Sequence, residues 1–282
     1  MLNSSINEGV DKSRFKGLAT AKGEYVTFVD SDDFLSKNAI EVLIKEAINN
    51  NADIVEGAFR RIYDGLGLIG KSDKKQYQFI QQPSLYDDYF ISFFGVNILG
   101  VQLCGKIYKR CLFEGLSPSG FKMGEDLILN MRMFPKVHSY VVSPHICYNY
   151  RYGGLTSGFN PSFFEDLKKQ YIEKMHVITT RSYTKAFRYC KIEMANILYS
   201  HLVQMYRYGK SDQECRDFLL KEVDSGFIDE LVSGMNYSES NFKSLLEHAQ
   251  YDKFLDYCKS ESQKKKTLRK LVKTFLPLLR FI

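Results

Sequence analysis

The 282-residue chain has no tryptophan, no CxxC pair and no run of eighteen apolar residues. Each absence narrows the field. Without such a run, no segment is long and apolar enough to cross a bilayer as a helix. The opening MLNSSINEGVDKSRF is polar and charged and lacks the apolar stretch of a secretory leader, so the cytoplasm is the expected compartment. Six cysteines (Cys104, Cys111, Cys147, Cys190, Cys215, Cys258) lie scattered, with no histidine at ligand spacing. That pattern favours reduced thiols over a zinc site or a disulfide framework. The five histidines (His138, His145, His176, His201, His248) are also dispersed, which disfavours a metal-dependent phosphohydrolase. Lack of tryptophan removes one sugar-stacking side chain, although 19 Tyr and 21 Phe supply others.

What is present is an ordinary globular composition. At 44% hydrophobic and 26% charged residues, the chain can form one large domain, or a domain with an appendage. Its net charge of +6 is concentrated: residues 261–282 hold seven Lys or Arg against Glu261 alone, and the remainder is neutral. This distribution does not suggest a broad basic face for nucleic acid, and none is expected as a partner.

Along the chain, 11–22 reads as a short helix closed by Gly23. The β-branched and aromatic run 24–29 reads as a strand that ends in Asp30-Ser31-Asp32-Asp33. A helix from a Ser36 cap to about Asn50 and a strand over 53–59 follow. This rhythm predicts an α/β unit with a parallel sheet, in which ligands gather at the carboxyl ends of strands. The spacing further predicts a surface hairpin over 64–80, a helix around 85–95, extended chain at 101–108, a helix over 124–134 and an extended segment over 137–150. From about Pro161 to Lys259 the pattern is helical, and no internal repeat is found.

The acidic turn is the first feature that carries chemistry. Adjacent carboxylates repel, and a fold that gathers them usually supplies a cation. Their hard oxygens suit Mg²⁺ or Mn²⁺, which in turn bind phosphate. An isolated Asp-rich turn is more often simply solvated, so its surroundings decide. Gly23-Glu24-Tyr25 leading into Asp30-Ser31-Asp32-Asp33 resembles the signature of family 2 glycosyltransferases. Upstream, Asn7-Glu8-Gly9 and Ser13-Arg14-Phe15 resemble that family's N-x-G-x-x-x-A-R-N segment, with Ser13 and Phe15 in place of Ala and Asn. Cys104-Gly105-Lys106-Ile107-Tyr108-Lys109 is similar to its G-K-L-Y-K segment. Tyr148-Asn149-Tyr150-Arg151 with Thr156-Ser157 is similar to its Y-x-Y-R…S-I-T ending.

The resemblance implies a GT-A (Rossmann-like) α/β fold followed by a mostly α-helical region. The expected division is a partial catalytic domain over 1–157, a helical region over 158–260 and a basic amphipathic tail over 261–282. Family members begin with further strands and a D-D-G-S turn, so an N-terminally truncated domain is expected. The implied activity is inverting transfer of a sugar from a nucleotide-sugar donor, UDP-linked, to a glycan or lipid-linked acceptor in surface polysaccharide synthesis. Asp32 would hold Mn²⁺ or Mg²⁺, with Asp30 beside it or on the ribose; Arg14 would neutralise the donor diphosphate or pair with the acidic turn, and Lys106 and Arg151 would hold donor phosphate or acceptor. Gly124-Glu125-Asp126 matches the family's E-D pair: Asp126 is the expected general base and Glu125 its neighbour or an acceptor contact. Taken singly, acids in a first helical turn merely complement the helix dipole. In the tail, Leu268, Leu271, Val272, Phe275, Leu279 and Ile282 recur at helical spacing opposite the basic residues. This reads as a helix for the inner face of a membrane or, equally, one docked on the helical region, and Pro277 interrupts it. The competing reading is a non-catalytic remnant that binds a membrane or a partner.

Overall fold

In the computed structural model, which describes residues 8–63, 68–73, 75–151, 159–238 and 241–275, the acidic turn lies between a helix and a sheet. Helix α1 (Val10–Thr20) precedes the short strand β1 (Tyr25–Thr27), and the turn leads into β2 (Phe34–Leu35). Helix α2 (Ala39–Asn50) ends where Asn51 takes a left-handed conformation, φ 46°, which asparagine tolerates. Then come β3 (Ile54–Tyr63), β4 (Leu68–Ser72) and β5 (Gln78–Gln81), two helical turns at 85–94, and β6 (Lys106–Lys109). Helix α3 (Glu125–Met133) and the long β7 (Ser139–Arg151) complete this part.

Among the described residues these strands form one mixed sheet in the order β1-β6-β3-β7-β2, with β4 added to β3 and β5 to β7. Only β3 and β7 run parallel; β1 and β6, β6 and β3, and β7 and β2 are antiparallel. The expected parallel sheet around the acidic turn is therefore corrected. Tyr25, Val26 and Thr27 pair with Lys109, Tyr108 and Ile107, residues some eighty positions away that no local pattern could assign. The expected 64–80 hairpin is also divided: β4 folds back on β3, whereas β5 joins β7.

Helix α2 covers one face of the sheet. Its Ala39, Leu43 and Ala47 pack with Ala52, Val55, Ile107, Val141 and Cys147 in a closed apolar cluster. On the other side of β6, Tyr108 stacks edge-on with Phe28 and Phe113. Burial of such side chains contributes roughly 1.5–3 kcal/mol each and fixes the strand ends that carry the acids.

The chain divides into two compact units, residues 1–158 and 159–282. The second is helical: α4 (Ser162–Thr180), α5 (Phe187–Arg207), α6 (Asp212–Asp224), α7 (Phe227–Val232), α8 (Phe242–Glu247) and α9 (Tyr251–Phe275). Ser211 and Glu214 form a reciprocal capping box at the start of α6. His201 is packed among Phe159, Phe164 and Phe218, and burial pulls it down to about 4, so it is a neutral core residue. The basic segment is helical as far as Phe275; residues 276–282 lie outside those described.

Candidate active site

The site begins with the placement of Arg14. Asp11, one turn earlier on α1, is buried and accepts the Ser119 hydroxyl (2.8 Å) and the Gly120 N–H (3.1 Å). This anchor turns Arg14 toward the end of β1. The Arg14 guanidinium, 9% exposed, donates through Nη2 to Asp30 Oδ1 (2.9 Å). Through Nη1 it reaches Glu125 Oε1 (2.9 Å) and Asp126 Oδ1. The three carboxylates are 35%, 13% and 20% exposed in that order. Two acidic motifs almost a hundred residues apart thus meet on one cation, whose forked geometry suits several carboxylates at once.

Each aspartate is held at its second oxygen as well. Asp126 Oδ2 accepts the Leu103 N–H (3.0 Å), and Asp30 Oδ2 accepts the Cys104 thiol (3.2 Å). Burial pushes that thiol up to about 12, so it stays protonated and able to donate. The turn itself is tied to β7 by Tyr148. Its hydroxyl accepts the Asp30 N–H (3.1 Å) and donates to Asp33 Oδ2 (2.7 Å), while Asp33 Oδ1 accepts the Arg151 N–H (2.8 Å). Burial raises Asp33 above its ordinary range against these bonds.

Charge crowding is strongest at Glu125. Burial, then repulsion from Asp126, pushes it up to about 7 despite Arg14. Arg14 is shifted upward by Asp126, Asp30 and Glu125 against the opposing effect of burial and remains charged. Near neutrality Glu125 therefore exchanges a proton, while its neighbour Asp126 is held by Arg14 and a backbone amide.

The other sequence candidates fall in different places. Asp32 is exposed and accepts no hydrogen bond from the described residues. Arg151 is exposed, with its guanidinium 5.3 Å from the Phe34 ring. Lys106 is buried, and its ammonium donates to the carbonyls of Gly100 and Gln102 (2.8 Å to the latter). Thr156 and Ser157 lie outside the described residues. The sequence reading missed Asp11, Glu56, Leu103 and Tyr148. Of these, only Tyr148 lay in a quoted motif.

Among the described residues no group of three His, Cys, Asp or Glu side chains converges to cage a metal. Mg²⁺ commonly takes one or two carboxylates and completes its shell with water and substrate phosphate. The open Asp32 and the part-exposed Asp30 on one turn fit an ion of that kind. Beside Arg14, a cavity of about 370 Å³ opens between α1 and β1, lined by Gly17, Leu18, Ala21 and Val26–Val29. A larger one, about 880 Å³, lies in the helical unit around Phe187 and Asp229 and contains none of these acids.

The Glycosyl transferase family 2 sequence model matches residues 1–113. Glycosyltransferase GlyA of Streptococcus pneumoniae is 26% identical over 182 residues, which is 63% of this chain and 26% of GlyA. Cholesterol galactosyltransferase of Borreliella burgdorferi is 45% identical over 69 residues, covering 24% of this chain and 19% of that enzyme. The chain thus spans about a quarter of each relative's length or less. The crystal structure of S. aureus TarS 1–349 in complex with UDP-GlcNAc aligns over 92% of this chain and 72% of that one. The identity is 17% and the TM-score 0.60, a likeness of fold. The expected α/β GT-A fold with a helical C-terminal region is the fold of this chain.

Proposed function

Through residues 1–113 the chain belongs to glycosyltransferase family 2, and from that premise we propose that it transfers a sugar from a UDP-linked donor to a glycan or lipid-linked acceptor, with inversion at the anomeric carbon. The observation that carries the reading is the convergence of Asp30 and Asp126 on Arg14. It joins a turn suited to a diphosphate-bound cation to a carboxylate suited to proton removal.

The acceptor hydroxyl oxygen attacks the anomeric carbon as the bond to the diphosphate oxygen breaks. The bonding electron pair leaves with the diphosphate, and the hydroxyl proton passes to Asp126. A carboxylate placed in this way contributes roughly 10²–10⁴-fold. Arg14 and the Leu103 N–H fix the plane of that carboxylate, and Glu125 beside it, pushed up to about 7, adds less than a second full charge near neutrality. Asp32, with Asp30, would hold a divalent ion, which would neutralise the charge that develops on the leaving diphosphate. Arg151, on the rim of the turn, is the side chain assigned to the donor. The basic segment 262–282 is assigned to an anionic membrane surface that carries the acceptor.

The test is Asp126→Asn. Transfer falls at least a hundredfold while UDP affinity stays within twofold of wild type. Loss of both together would remove Asp126 from the role of base.

A further inference from the structure

The loop 99–104 orients both aspartates yet has no regular structure of its own. It is held by buried polar side chains that the chemistry above does not use. Glu56, on β3, is fully buried. Its carboxylate accepts the Gly100 N–H at both oxygens (3.2 and 3.3 Å), the Tyr140 hydroxyl (2.6 Å) and the Lys75 ammonium. Lys106, on β6, donates to the carbonyls of Gly100 and Gln102. Gly100 is thus clamped at both backbone groups, its N–H by an anion and its C=O by a cation. Asn130 of α3 secures the Val101 carbonyl (2.9 Å), and the Tyr108 hydroxyl that of Leu103 (3.3 Å). A Cβ on Gly100 would run into the Glu56 carboxylate, so only glycine lets the loop lie this close.

Buried charged groups are poor stabilisers, because apolar side chains of similar volume usually serve a core as well or better. Burial pulls Lys106 down to about 8 even with Glu56 beside it. What these two groups supply is direction, each from its own side of Gly100. From the clamped segment, the next two residues deliver the Leu103 N–H to Asp126 and the Cys104 thiol to Asp30.

We propose that Glu56 and Lys106 are positioning residues, which clamp the loop 99–104 so that its far end orients Asp126 and Asp30 for transfer. The kinetic consequence rests on the glycosyltransferase reading; the placement of the loop does not. The experiment uses the full chain with Glu56→Gln, the neutral pair Glu56→Gln with Lys106→Met, and Gly100→Ala, which keeps both charges but displaces the loop. Amide exchange and turnover of UDP-GlcNAc are read on each.

Exchange at residues 100–103 rises at least tenfold in all three, while the amides of β3 and β6 keep their protection and so report an intact fold. The kcat for UDP release falls 10–100-fold with KM within threefold, as expected when reacting groups are misplaced rather than removed. A neutral-pair variant with wild-type exchange at 100–103 would overturn the clamp, and so would wild-type kcat in Gly100→Ala. If wild-type chain releases no UDP, the exchange measurement still decides the clamp, and the failure belongs to the glycosyltransferase reading with that donor.

Discussion

Replacing Arg14 with methionine removes the cation that three carboxylates share. The side chain is 9% exposed and makes ion pairs to Asp30, Glu125 and Asp126. Breaking a buried pair costs about 3–5 kcal/mol, because the partner charge is left behind. Two corrections apply. Asp30 is 35% exposed, so water recovers most of its share. Glu125, already pushed up to about 7, takes a proton as pH falls and ceases to repel Asp126. The expected loss is therefore about 2–4 kcal/mol at pH 8 and about half that at pH 5.5. With urea m-values of about 1–3 kcal/mol/M, the midpoint for the first unit drops by about 1–2 M at pH 8. Without tryptophan, the transition is followed by tyrosine near-ultraviolet circular dichroism. Arg14→Lys falls between the two, since one ammonium cannot span Asp30 and the Glu125–Asp126 pair as a guanidinium does. A midpoint shift below about 0.3 M at both pH values would refute the idea that Arg14 holds the site together.

Two further outcomes follow from the same structure. Because the folded state raises Glu125 from 4.5 to about 7, it keeps a proton that the unfolded chain releases between those values. That contribution is complete below about pH 4.5 and lost as pH rises through 7. Glu125→Gln should therefore gain on wild type with rising pH, reaching on the order of 2–3 kcal/mol above pH 7, and a pH-independent difference in urea stability would contradict this. Deleting residues 262–282 should abolish flotation of the chain with anionic liposomes; unchanged flotation would place membrane contact elsewhere.

The features legible in the sequence were local. The run after Gly23, the turn 30–33 and the helix that starts at Glu125 each carry their own signal, and the structure places all three within reach of Arg14. The strand partners were not legible, because β1 pairs with β6 across some eighty residues and periodicity reports only which face is apolar. For the same reason Glu56 read as one polar residue in a strand, although it proves to be the buried anchor of a distant loop. Lys106 is a second case. A lysine in a motif suggests a phosphate contact, but its position on a central strand turns the ammonium inward to two carbonyls. Asp11 gave no signal, since an acid in the first turn of a helix is expected on dipole grounds whether or not it has a partner.

The central claim is that the acidic turn binds a nucleoside diphosphate through a divalent ion. Calorimetric titration of the chain with UDP, with and without Mn²⁺ and alongside Asp32→Ala, tests it most directly. The account predicts binding that requires Mn²⁺ and is lost in the variant. Equal affinity with and without the metal, or an Asp32→Ala variant that binds as wild type does, would contradict it.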